Sequence, residues 1–176
     1  MGIFSFLFGS AAQEKPSAAS KNPADAGRAL RQMILNSPAD KFAKPSKEFP
    51  RVYGVLMDWP IDKNTATIFS ASEGAASLYT TSTFGIIGGE AHENVREAAI
   101  KFVRAADRLY DEAKPTKEYP YPAANRVRFY LLTFQGVRVI ETDFATIESR
   151  KNKYTEYFAL GQDVLTELRH ITEKAK

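Results

Sequence analysis

Residues 65–95 read TATIFSASEGAASLYTTSTFGIIGGEAHENV, two alternating runs that meet at Glu73-Gly74 and pass through a glycine-rich loop into an amphipathic segment. Polar and apolar side chains alternate on both sides of Glu73-Gly74, the period of a β-strand. A two-residue turn there predicts a hairpin in which Phe69 faces Leu78, Ile68 faces Tyr79 and Thr67 faces Thr80, all favourable cross-strand neighbours. From Glu90 to about Ala113 the period lengthens to that of a helix. Val95, Ala99, Phe102, Ala106 and Leu109 form one apolar stripe, with Arg96, Lys101, Arg104 and Arg108 elsewhere, so this helix lies on a sheet.

Upstream, Arg51 to Trp59 reads as a strand with Val52, Gly54, Leu56 and Asp58 on one side and Tyr53, Val55 and Met57 on the other. Its mostly apolar run points to a central position, ended by Pro60 and followed by a turn at Asp62-Lys63-Asn64. Asn22-Pro23 with Asp25 is a helix start, and Ala26, Leu30, Met33 and Ile34 share a face of that helix until Pro38 stops it. Lys41, Lys44 and Lys47 mark residues 38–50 as a solvated connector.

Downstream, the proline spacing of Tyr119-Pro120-Tyr121-Pro122 makes residues 115–125 an extended connector. A second hairpin is predicted from Val127–Phe134 and Val137–Thr142 about Gln135-Gly136, with Arg128 facing Asp143 and Tyr130 facing Glu141. Residues 144–175 are helical in pattern, with a break near Ser149–Lys153. Ile147, Tyr154, Phe158, Leu165 and Leu168 define the apolar face, widened by Tyr157, Val164 and Ile171. Such a long face either packs on a second copy or partner, or wraps the sheet.

The expected fold is α+β: an antiparallel sheet of about five strands, as a three-strand meander, a helix and a hairpin, with helices packed on it. It forms one domain over residues 23–176, after an aromatic N-terminal segment and flexible tether over residues 1–22. This order resembles the roadblock, longin and profilin group of small α+β domains. The segment Gly74-Ala75-Ala76-Ser77-Leu78-Tyr79 through Ile86-Ile87-Gly88-Gly89 is similar to small bacterial proteins. The resemblance covers residues 51–172 at the level of topology and implies a dimerising scaffold or regulator.

Composition removes several chemistries. The 176 residues contain no cysteine, which excludes disulfides, thiolate metal sites and cysteine nucleophiles. A net charge of +3 from 24 basic and 21 acidic residues is too small and too evenly spread for a nucleic-acid stripe. The run Ile3–Phe8 is too short to span a bilayer, and the chain is expected to be cytoplasmic. Phe4, Phe6 and Phe8 suit peripheral membrane contact, a partner's groove or a strand on the domain itself; Phe6 stands where a myristoylation motif wants Ser or Thr.

The Thr80–Gly89 loop has no lysine, so neither the P-loop nor the dinucleotide pattern is present, and Glu90 and Glu93 oppose an anion at the following helix. With two histidines, His92 and His170, no metal or cofactor is expected. The candidate ligand residues are Asp58, Thr81, Ser82, Gly88, Gly89 and His92, at a mouth between the first strand's end and the loop after the third. There Asp58 or Glu90 would serve as acid or base and His92 as proton shuttle. Without a catalytic signature, the leading expectation is a non-enzymatic interaction or regulatory module with a protein partner or as a homodimer. A small-ligand protein or enzyme at that mouth is the alternative, and peripheral membrane attachment a third reading.

Overall fold

Two apolar faces, one on each side of an antiparallel sheet, organise the molecule, for which a computed structural model describes residues 23–82, 85–150 and 152–174. The expectations for Ile3–Phe8, the tether and the Asn22 cap lie outside these residues. The described chain runs α1 (Pro23–Asn36), β1 (Val52–Ile61), β2 (Asn64–Ala71), β3 (Ala76–Thr80), β4 (Gly85–Ile87) and α2 (Glu93–Ala106). It continues through β5 (Lys114–Pro115), β6 (Arg126–Thr133), β7 (Gly136–Asp143), α3 (Phe144–Glu148) and α4 (Lys153–Lys174). The class is α+β, as expected, but the sheet has seven strands in the order β4-β3-β2-β1-β6-β7-β5, not about five. The two additions, β4 and β5, are edge strands of three and two residues, too short to show alternation.

β1 is central, paired with β2 and β6, and buried from Val52 to Trp59. One face of the sheet carries Val55, Met57, Ile68, Leu78, Phe129 and Leu131 beneath α2 and α4. The other carries Leu56, Phe69, Tyr79, Tyr130 and Leu132 beneath α1 and Phe42. A strand covered on both sides reads as a near-continuous apolar run, which is why β1 does. Trp59 is 6 % exposed and meets Phe158 edge to face at 6.3 Å, so it belongs to the core.

Strict alternation fails at the start of β1. Pairing with β6 shifts between Val52↔Thr133 and Gly54↔Leu132, a bulge that moves Val52 to the face of Val55 and Met57 and Tyr53 to the opposite one. Pro60 does not end the strand, because Thr65 directs its N–H and C=O toward Thr81 and Pro60 therefore turns its nitrogen away from β2. On that side β1 has already passed its last β6 pair, Asp58↔Arg128, and the missing N–H leaves no ladder bond unmade.

Both hairpin registers differ from the expectation for the same reason. Gly74 (φ +95°) takes the left-handed position that closes a three-residue loop, with the Ala71 N–H donating to Ala75 O and the Gly74 N–H to Ala71 O, each at 2.9 Å. The register slips by one residue, giving Phe69↔Ser77, Ile68↔Leu78 and Thr67↔Tyr79. In the second hairpin the turn is Phe134-Gln135, and left-handed Gly136 (φ +106°) pairs with Thr133. Arg128 then faces Glu141 and Tyr130 faces Val139, a slip of two that keeps every side chain on its face. Arg128 donates to Glu141 rather than to Asp143, and Arg126 joins it at 2.8 Å.

The helices show the same mixture. α2 buries Val95, Ala99, Phe102, Val103 and Ala106 but stops at Ala106, continuing as a 3-10 turn over Asp107–Leu109. α1 turns Arg31, Ile34 and Leu35 inward, while Met33 is 38 % exposed. The last helical stretch is broken, with Arg150 at φ +54° between α3 and α4. Asp143 caps α3 by accepting from the Thr146 N–H at 2.7 Å, and Asn152 accepts from the N–H groups of Tyr154 and Thr155 at the start of α4. Along α4, Tyr157, Val164 and Leu168 bury against α2 and the sheet.

Gly161 sets how closely α4 approaches. A Cβ there would stand 2.4 Å from Met57 Cε, 2.6 Å from Met57 Sδ and 3.3 Å from Phe102 Cζ. Gly161→Val should therefore lower stability by about 1–3 kcal/mol, through overpacking rather than loss of contacts. Urea denaturation should show a lower midpoint with an unchanged slope; a change below about 0.5 kcal/mol would mean that α4 rides higher over β1 than described.

Candidate functional site

The six residues expected to share one mouth stand in three places. Asp58 lies in β1 beneath α1, with no exposed surface. Its carboxylate accepts from Arg31 Nε at 3.1 and 3.3 Å, from Arg31 Nη2 at 2.5 Å and from the Thr67 hydroxyl at 2.5 Å. Arg31 also donates Nη1 to Tyr119 O at 2.9 Å, and its guanidinium sits 4.2 Å from the Tyr121 ring centre and 5.4 Å from that of Tyr130. The Tyr130 hydroxyl donates to Pro120 O at 2.6 Å. The Tyr-Pro connector thus lies over the ion pair. Burial pushes the Asp58 carboxyl above the ordinary carboxylate range, against the pull of Arg31 and Thr67.

Thr81 and Ser82 close the far end of the β2–β3 ladder. The Thr81 N–H donates to Thr65 O at 2.9 Å, the Thr65 N–H to Thr81 Oγ1 at 2.8 Å, and the Thr80 and Ser82 hydroxyls stand 2.9 Å apart. Arg28 of α1 reaches Thr81 O at 3.4 Å.

Gly88 and Gly89 lie at the opposite end of β3, just past the Ser77↔Ile87 pair. Gly88 is left-handed (φ +86°) and leads into the 3-10 turn Gly89–Ala91. At Gly89 a Cβ would approach Val95 Cγ1 to 2.6 Å and Leu168 Cδ2 to 2.8 Å, so packing of α2 and α4 demands a glycine. His92 follows, beside a cleft of about 470 Å3 that it shares with Glu93, Glu167 and His170. His170 Nδ1 is 3.7 Å from Glu167 Oε2. Among the described residues no group of three His, Asp or Glu could hold a metal ion.

The fold therefore unites Thr81 with Ser82, and Gly88 and Gly89 with His92, but neither group with the other or with Asp58. Sequence reasoning missed Arg31. The available signal was Asp58 itself, since a carboxylate within a buried apolar strand requires a cation, and Arg31 precedes Ile34 and Leu35 by one helical turn.

What the fold leaves open is an edge. β4 pairs with β3 on one side, and no described strand pairs with the other. Its sequence, Gly85-Ile86-Ile87, has no charge and no proline; Ile86 points into the core and Ile87 is 50 % exposed. The opposite edge, β5, is Lys114-Pro115, closed to pairing by its charge and proline. No helix among the described residues is long and apolar enough to cross a membrane.

The buried pair predicts strong coupling. Arg31→Met alone should cost about 3–5 kcal/mol by stranding Asp58, whereas Arg31→Met with Asp58→Leu should cost far less, since an apolar pair fits the site. The sign with pH follows from the raised carboxyl. A group whose pKa is raised on folding contributes most in acid, and that contribution is lost as pH rises. Arg31→Met raises the Asp58 carboxyl further, so the deficit by urea denaturation should shrink from pH 7 to about pH 5; a pH-independent deficit would contradict the assignment. Comparison with protein-family models, curated proteins and solved structures finds no match to this chain.

Proposed function

We propose that this chain is a non-enzymatic interaction module that assembles by adding a strand to the β4 edge, first of all the β4 strand of a second copy. The carrying observation is the asymmetry of the two edges: β5 is closed by Lys114 and Pro115, while β4 is uncharged and presents half-exposed Ile87. Protein sheets usually blunt an edge that must stay unpaired, and an unblunted one offers its main-chain groups to another strand. Two copies related by a twofold axis would pair β4 with β4 antiparallel and join their sheets. The resemblance to the roadblock, longin and profilin group, whose members generally serve as dimerising scaffolds or regulators, supports the reading at the level of topology. The cytoplasmic setting expected from the sequence belongs to the same proposal.

Native mass spectrometry and light scattering should find a dimer, and Ile87→Lys should weaken it by on the order of tenfold or more. Amide exchange at Gly85–Ile87 should slow as the dimer forms. A monomer well above micromolar concentration, with those amides exchanging freely, would sink the reading.

A further inference from the structure

Between the end of α2 and the start of α4 lies a small cleft of about 140 Å3. Its wall is largely apolar, formed by Ala105, Leu109, Leu160 and Tyr157. A cavity of about 150 Å3 is enough to take a benzene ring, so this one suits a single branched or aromatic side chain. Tyr157 is 3 % exposed, and its hydroxyl is buried with no hydrogen-bond partner among the described residues. Water does not reach that oxygen, so Tyr157 contributes its ring rather than its hydroxyl to the wall of the cleft.

The rim supplies charge of both signs. Lys153 also lines the cleft but is engaged by Glu112. Arg108 and Glu156 complete the rim, are exposed, and take part in no ion pair or hydrogen bond among the described residues. One comes from the 3-10 turn after α2 and the other from α4, so an unpaired cation and an unpaired anion flank the same apolar hollow. A simple carboxylate would meet Glu156 unfavourably, and a simple amine would meet Arg108 unfavourably. The complement of the whole arrangement is a zwitterion with an apolar body.

We infer that this cleft binds a free apolar α-amino acid of the leucine or phenylalanine class. The side chain enters among Ala105, Leu109 and Leu160, the carboxylate pairs with Arg108 and the ammonium with Glu156. This site is independent of the β4 edge, and either proposal stands if the other fails.

The test is titration of the full chain with L-leucine, followed in amide correlation spectra. Saturating shifts should concentrate at Ala105, Leu109, Tyr157 and Leu160, with a Kd in the millimolar range or tighter. N-acetyl-L-leucine, which lacks the ammonium, and L-leucinamide, which lacks the carboxylate, should each bind about fivefold more weakly, the size of one exposed ion pair. Arg108→Gln should erase the difference between leucine and leucinamide, and Glu156→Gln that between leucine and N-acetyl-leucine. Both positions are exposed, so the fold survives these changes. No saturable shift up to about 20 mM leucine would overturn the inference. Equal binding of all three ligands, or of glycine and leucine, would do the same.

Discussion

A guanidinium and a carboxylate sealed from water hold the first helix and the Tyr-Pro connector to the sheet. Arg31 joins α1 to the central strand through Asp58 and to the Tyr-Pro connector through Tyr119 O, while Thr67 ties the second strand to the same carboxylate. Without that centre, α1 would rest mainly on Ile34, Leu35 and the partly buried Leu30. A buried ion pair is a poor source of net stability, because desolvation offsets most of its attraction. What it does supply is geometric uniqueness: a planar fork and a planar carboxylate meet in few ways, so the helix cannot slide along the sheet without stranding a charge.

The opposite face is organised by shape. Gly161 lets α4 settle onto Met57, and Gly89 lets the turn before α2 sit against Val95 and Leu168. The glycine-rich loop that invites a ligand-site reading is thus half explained by packing. Gly89 is required by the helices above it, and Gly88 by a left-handed backbone.

The strands β2, β3, β6 and β7 and the stripe of α2 were legible in the sequence through their periods, and β1 through its near-continuous apolar run. The registers were not, since one left-handed glycine at the end of a loop changes the pairing by one or two residues, and Glu73-Gly74 and Gln135-Gly136 look alike whether they form the turn or follow it. β4 and β5 were invisible for want of length. The candidate site was misgrouped for a topological reason: antiparallel pairing sends Ser82 and Gly88 to opposite ends of the β3–β4 pair although they are close in sequence. Arg31 escaped notice because a charged residue within an amphipathic helix is ordinarily read as its solvated side.

Pro115 sits at the far margin of a seven-stranded sheet and looks incidental. A sheet able to accept strands at both margins has no reason to stop growing, and copies would add end to end into a filament. With one margin shut by a residue that lacks an amide proton, any association through the other is exhausted once two molecules have met. If the β4 margin takes a strand from a second copy, as proposed, a single proline in a two-residue strand would act as a chain terminator, limiting the assembly to a particle of finite size.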